Sequence, residues 1–260
     1  MPLHLASQRS LRWFTCAAQA AALAALLVAP AHGASTINLR WDACLGDGGV
    51  ANKSFACDTN VGTERLLGSF VPPMDMFGTT GSEIAVDFGT FGPALPAWWT
   101  FKNVGTCRQS SLAINAVVPA TAVACVDWAS GQAIAVLVAY IPLTSSSARI
   151  TAVTTLPLPL LEGPIAGTEN YAFTLTINHL KTVGTGACAG CDVPMCIALR
   201  QITINNEPPQ GDVHLAIGWQ PSDKLSDSFV LWQAPPGQTS CAHSVPARNR
   251  TWGEVKSLYR

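Results

Sequence analysis

Apolar and polar residues alternate singly in about ten short segments of this chain, and clusters of glycine or proline separate one segment from the next. A period of two is the signature of an extended strand, whose successive side chains point to opposite faces. The segment NYAFTLTINHL shows it most clearly. Tyr171, Phe173, Leu175 and Ile177 are expected on one face, with Thr174, Thr176 and Asn178 on the other. TINLRW repeats the pattern with Ile37, Leu39 and Trp41, as do Ile84, Val86 and Phe88. Further strands are expected over 63–71, 111–118, 132–141, 148–156, 196–205, 212–219 and 228–233.

A strand with one apolar face needs a second layer to cover it. The expected fold is therefore all-β, a disulfide-stabilised antiparallel β-sandwich, with a jelly roll or a β-barrel as alternatives of the same strand spacing. QAIAVLVAYI is apolar on both faces and reads as an interior strand, with its sparse charge making it, as the alternative, an edge open to pairing. Pro157, Pro159 and Pro164 discourage a continuous helix or a central strand after 156. LGDGGVANKSFACDTNVG has the glycine and Asp/Asn content of turns. Only the terminal TWGEVKSLYR reads as helical, with Thr251 as cap and Glu254 placed to return the cap. The likeness between YAFTLTIN and IALRQITINN needs nothing beyond ordinary β alternation.

The first 33 residues have the order of an export signal. Arg9 and Arg12 precede an apolar run over 17–29 broken only by Gln19, and Ala31 and Gly33 provide a small-residue exit before Ala34. A membrane anchor is the alternative, although the run is short for a span. Removing 1–33 leaves 227 residues with 13 basic and 16 acidic groups. They read as a single extracellular β domain over 34–260, with or without a disulfide-bound C-terminal extension. Cys16 leaves with the leader, and Cys44, Cys57, Cys107, Cys125, Cys188, Cys191, Cys196 and Cys241 remain. An even number of cysteines behind an export signal points to disulfides. Cys44 with Cys57 would close the glycine-rich loop, and Cys107 with Cys125 would join adjacent strand ends. The last four cysteines have no wiring that spacing alone decides. Each crosslink is expected to stabilise the fold by roughly 2–4 kcal/mol.

Several segments carry a resemblance: WDACLGDGG with FACDTNVGTERLLGSFVPP, LPAWWTFKNVGTCRQSSL, ACVDWASGQA, KTVGTGACAGCDVPMCIAL and TWGEVKSLYR. In these the chain resembles a group of uncharacterised secreted proteins of environmental Gram-negative bacteria, across nearly all of its length past the leader. The resemblance implies bacterial secretion and a shared scaffold. The group has no assigned activity, so no catalytic residue follows from it.

Charge excludes some classes of function. With 15 basic and 16 acidic residues, and only 12% of the chain charged, there is no polyelectrolyte and no basic track for nucleic acid; the segment 102–108 holds only Lys102 and Arg108. His179, His214 and His243 form no HExxH motif, and neither GxSxG nor a phosphate-binding loop occurs. Asp212 and His214 share a strand face without an evident nucleophile. Cys188 and Cys191 form a CxxC pair in a glycine-rich turn, outside any thioredoxin-like βαβ pattern, and read with Cys196 as structural. Glu83, Asp87 and Asp127 lack the pairing that glycoside hydrolysis needs. No cofactor is called for. Calcium is the one candidate ion, on oxygens of Asp42, Asp47, Asp58 and Asn60, although the EF-hand spacing is absent.

Trp98 and Trp99 are the binding candidates. They are adjacent after a proline turn, and because successive strand residues face opposite ways, one indole would cover the core while the other meets solvent, an edge or a ligand; ordinary packing of both in the core and rim is the plainer reading. The sequence thus reads as an extracellular structural or adhesion module, without covalent chemistry, that self-assembles or meets an extracellular protein through a β edge or an aromatic patch. A carbohydrate-binding module that holds a glycan is the first alternative, and an extracellular hydrolase the second.

Overall fold

A computed structural model describes residues 36–101, 105–160, 162–216, 227–235 and 237–241, all within one compact unit, Ala34–Arg260. The segment 1–33 that reads as an export signal, Cys16, Lys102, Trp219, His243 and the terminal segment with Thr251 and Glu254 lie outside the described residues. Eleven strands are present: β1 (Thr36–Trp41), β2 (Asn52–Lys53), β3 (Thr63–Val71), β4 (Thr79–Thr90), β5 (Leu112–Asn115), β6 (Ile134–Thr144), β7 (Ser147–Leu160), β8 (Asn170–Asn178), β9 (Met195–Asn206), β10 (Val213–Ala216) and β11 (Phe229–Trp232). They form the expected all-β, disulfide-stabilised sandwich. A four-stranded sheet runs β1-β3-β8-β5, and a seven-stranded sheet runs β2-β11-β9-β4-β7-β6 with β10 beside β9. All pairings are antiparallel except that of β2 with β11.

The alternation read from the sequence decides which residues fill the space between the sheets. Ile37, Leu39 and Trp41 of β1, Leu66 and Phe70 of β3, and Phe173, Leu175 and Ile177 of β8 meet Ile84, Val86 and Phe88 of β4 and Ile197, Leu199, Ile202 and Ile204 of β9. Gly68 of β3 lies opposite Phe173, where a Cβ would come within 2.2 Å of the phenyl ring, so only glycine lets that ring lie across the strand. The register shifts at Gly68/Ser69, which places Ser69 opposite Tyr171 and Gly68 opposite Phe173. That irregularity turns Tyr171 out of the core row it was expected to share and onto the outer face, where it packs with Leu67.

Both outer faces carry covers, and a disulfide fastens each one. The connection between β5 and β6 lays Val118, Ala122 and Cys125 over Leu67 and Tyr171. Cys44–Cys125 ties it down, Ala124 N donates to Asp47 Oδ1 at 2.8 Å, and Trp128 Nε1 donates to the Tyr171 carbonyl at 2.8 Å. On the seven-stranded sheet, the segment after β11 passes over Cys196, Ala198, Phe229 and Leu231 and is fastened by Cys196–Cys241. The remaining bridges, Cys57–Cys191 and Cys107–Cys188, hold loops at the aromatic end of the core. All eight cysteines beyond position 33 are thus paired, but the expected Cys44–Cys57 and Cys107–Cys125 bridges are not formed. Spacing suggested local closure, whereas each of these cysteines pairs with one at least 81 positions away, because the sandwich brings sequence-distant loops together.

The two sides of the sandwich differ. On the β1 side the sheets are stitched together: Leu39 N donates to Asp227 O at 2.7 Å, Trp41 N to Val50 O at 2.9 Å, and the Trp41 indole to Leu231 O at 3.1 Å. Arg40 adds an ion pair with Asp227. On the opposite side the sheets end in β5 and β6, which lie near one another in different layers. Among the described residues, β6 pairs with β7 and with no other strand.

Candidate functional site

QAIAVLVAYI was expected to be interior. It forms β6, an edge strand, and its burial is one-sided. Leu137 and Tyr140 turn into the core, while Ile134, Val136 and Val138 are 62%, 52% and 60% exposed and Ile141 is also exposed. The register shift between Leu137 and Ala139 makes Val138 the extra residue of a bulge. An apolar run on both faces fits two environments equally well: a strand covered on both faces, and a strand whose outer face awaits a cover. The alternation alone does not separate them.

The outer face continues inward from β6 across β7 and β4. Val136 lies opposite Val153, and Val153 opposite Glu83; Thr151 lies opposite Ala85, and Arg149 opposite Asp87. A shallow trough of about 270 Å³ lies where the apolar rim, Val138 and Val153, meets the polar residues Glu83, Arg149 and Gln201. Arg149 donates to both oxygens of Asp87, at 2.6 and 3.0 Å, and Arg200 lies 3.5 Å from the same carboxylate. The bonds to Asp87 hold the Arg149 guanidinium above its ordinary range. These groups are partly exposed, so the pair adds at most about 1 kcal/mol to stability. Its effect is to leave the neighbouring apolar rim without an unpaired arginine beside it.

Neither Trp98 nor Trp99 faces solvent; both are 0% exposed. The expectation of one solvent-facing indole assumed a strand, but the pair sits on a 3-10 turn, Ala97–Trp99. Successive side chains there diverge by a third of a turn rather than by half, so both reach the interior. Their ring centroids are 5.0 Å apart, and each lies about 5 Å from Trp232. Trp98 Nε1 donates to Thr182 Oγ1 at 3.0 Å. Among the described residues every tryptophan and tyrosine is buried, so none offers a flat ring to a sugar.

The other expected groups are engaged separately. Asp212 Oδ1 accepts from Asn206 N at 3.4 Å, and His214 Nδ1 faces Thr203 Oγ1 at 3.0 Å, so the two do not form a dyad. A carboxylate–imidazole contact that the sequence did not signal does occur: His179 Nε2 lies 3.0 Å from Glu64 Oε1. The imidazole is buried beside Trp98 and Trp232, which encloses it away from any substrate. Glu64 also receives Lys53, which reaches Asp42 as well. Burial pulls the Lys53 ammonium down, but the two carboxylates more than offset this and hold it above its ordinary value. Glu83 and Asp87 share the outer face of β4 but stand roughly 13 Å apart along the strand. That exceeds the spacing of about 5–9.5 Å used by paired glycosidase acids.

The calcium candidates are also dispersed. Asp42 holds Lys53, Asp47 accepts from Ala124 N, and Asn60 Oδ1 accepts from Thr182 N and Val183 N. Among the described residues, one group has ligand atoms close enough for an ion, Cys44, Asp47 and Cys125, all within 4.8 Å of one another. Both of its sulfurs belong to the Cys44–Cys125 disulfide, and bonded sulfurs are not the thiolates that a metal takes. As linked, these residues do not fit a metal centre. No helix among the described residues is long and apolar enough to cross a membrane.

No protein-family model matches the chain, and no curated protein matches it. Among solved structures, it is similar to a type II cohesin domain from the cellulosome of Acetivibrio cellulolyticus, at 7% identity and a TM-score of 0.31 over 76% of this chain and 95% of that one. Neither value is high enough to transfer fold or function from that domain.

Proposed function

We propose that this chain is an extracellular structural or adhesion module that associates through the edge and outer face of β6, without covalent chemistry. One observation carries the reading. β6 ends its sheet with Ile134, Val136 and Val138 each more than half exposed, and no charged residue occurs between Asp127 and Arg149. Edge strands in proteins that stay apart carry charge, proline or a cover. Here Pro142 blunts the end of the strand and the bulge at Val138 bends its middle, while the residues on either side of the bulge keep an apolar outer row. The rest of the molecule is handled differently: disulfides fasten covers over both outer faces, and the β1 side is stitched shut. An incoming strand at β6 would gain ladder hydrogen bonds and pack its own outward side chains against the flank of the apolar row. The leader over 1–33 supports an extracellular address, where four disulfides persist.

The test compares cells exporting the wild-type chain with cells exporting Val136→Lys/Val138→Lys. Both side chains point outward, so the variant should fold and keep its disulfides. The wild-type chain is expected to remain with the cells or in an insoluble extracellular assembly, and the variant to be released as soluble protein. Equal partitioning of two folded chains would overturn the reading.

A further inference from the structure

The β6 edge has a property that selects its occupant. We propose that β6 pairs antiparallel with β6 of a second copy about a two-fold axis near the Val138 bulge, joining two seven-stranded sheets into one. This rests on the reading of β6 as a docking strand.

Self-pairing makes a demand that pairing with a different protein does not. In a two-fold interface the same patch appears twice, so a charge near the axis meets its own copy. The strand satisfies this demand throughout: residues 128–148 contain no Asp, Glu, Lys or Arg. On the outer face beyond β6, Arg149 of β7 is bonded to Asp87 of β4, and Glu83 of β4 is separated from β6 by Val153. A partner recognised by charge would find nothing on β6 to pair with, whereas an identical uncharged apolar strand meets no repulsion.

The bulge also restricts the register. Before it, the outward residues are Ile134 and Val136, opposite Thr155 and Val153; after it they are Ala139 and Ile141, opposite Thr151 and Arg149. The outward set therefore changes from even to odd positions at Val138. In an antiparallel pair, directly opposed residues lie on the same face. With the axis at the bulge, each stretch before it faces the stretch after it in the other copy, so outward residues match when the position numbers sum to an odd value, as when Ile134 faces Ile141 and Val136 faces Ala139. In that register Ala135 also faces Tyr140, core side to core side, and the exposed rows of the two copies stand side by side, each shielding the flank of the other. Pro142, which has no N–H to donate, falls just beyond the paired stretch.

The experiment uses the processed, non-reduced chain. Sedimentation across micromolar to millimolar concentrations is expected to show a reversible dimer, and Val136→Lys to raise its dissociation constant at least 100-fold. Register is read by oxidative crosslinking. Ile134→Cys/Ile141→Cys should give covalent dimers, whereas either single variant should not, because like positions lie about seven residues, roughly 23 Å, apart across the pair. Crosslinking by the single variants would overturn the register. A chain that stays monomeric up to millimolar concentration, while cells still retain wild type and release Val136→Lys/Val138→Lys, would overturn the second copy as occupant and leave the docking edge to a different protein. A monomer with equal partitioning in cells would overturn both.

Discussion

The guanidinium of Arg108 lies over the indole of Trp98, its central carbon 3.6 Å from the ring centroid. The group is buried, and it donates to the carbonyls of Leu180 at 2.7 Å and Asn178 at 2.6 Å. Burial pushes the guanidinium down to about 9, which leaves it charged at neutral pH. A planar cation thus fixes one face of the aromatic core while the adjoining Cys107–Cys188 bridge fixes the backbone.

The first prediction is that lysine does not replace this arginine. An ammonium cannot lie flat on the indole and span two carbonyls at once. A desolvated cation–π contact contributes about 2 kcal/mol, and hydrogen bonds to charged groups about 1.5–3 kcal/mol each. Arg108→Lys should cost about 2 kcal/mol in urea unfolding, and Arg108→Ala about 4 kcal/mol because it also leaves a cavity. A lysine variant as stable as wild type would show that Arg108 is merely accommodated there.

The second prediction concerns alkaline pH. Burial pushes the phenols of Tyr140 and Tyr171 up to about 12. Tyr140 donates to the Trp99 carbonyl at 3.0 Å, so its proton is held inside the core. An unfolded tyrosine ionises near 10, and the folded one does not until about 12. Between those values the unfolded chain binds fewer protons, so stability falls as pH rises. The contribution is fully present below pH 10 and amounts to about 2–3 kcal/mol per tyrosine. Arg108 acts in the opposite direction, because its lowered value favours the folded state as pH rises above 9. Comparing wild type with Tyr140→Phe at each pH cancels that effect. Phenylalanine should be less stable by about 1 kcal/mol at pH 8, and because ionisation costs wild type about 2–3 kcal/mol above pH 10, the order should reverse by pH 12. A gap that stays constant over this range would mean that Tyr140 ionises alike in both states.

The period of two was enough to place most strands, because alternation in segments such as 63–71 and 170–178 is a local property that the sandwich then uses. What it could not show was how each strand is surrounded. QAIAVLVAYI reads the same whether both faces are covered or one is bare, so its position at the sheet edge had to come from topology. Trp98 and Trp99 misled for a related reason. Their directions depend on a three-residue turn after Pro96 whose sequence carries no period at all. Disulfide wiring was hidden because Cys44 finds Cys125 only after the β5–β6 connection has crossed the outer face of the four-stranded sheet. Tyr171 shows the limit within one strand: a single irregularity opposite Gly68 moved it to the other face.

The last prediction tests whether disulfide-bound covers are what leave β6 as the exposed apolar surface. Cys44–Cys125 holds the 116–133 connection over Leu67 and Tyr171, and Cys196–Cys241 holds the segment after β11 over Ala198, Phe229 and Leu231. Both clusters sit on outer faces and would otherwise be as bare as the β6 row. Removing a crosslink chiefly relieves a constraint on the unfolded chain, by about 2–4 kcal/mol, but here it should also let the cover lift in the folded state. Cys44→Ser/Cys125→Ser is expected to keep its far-ultraviolet β spectrum and to lose about 2–4 kcal/mol in urea. It should also become cleavable within 116–133 under conditions where wild type is not, and bind a hydrophobic dye that wild type does not. Cys196→Ser/Cys241→Ser should likewise gain dye binding, with cleavage confined to the segment after β11. If both double variants lose stability but acquire neither cleavage nor dye binding, the bridges act only on the unfolded chain. Close packing of the loops, rather than their crosslinks, would then keep the two outer faces covered.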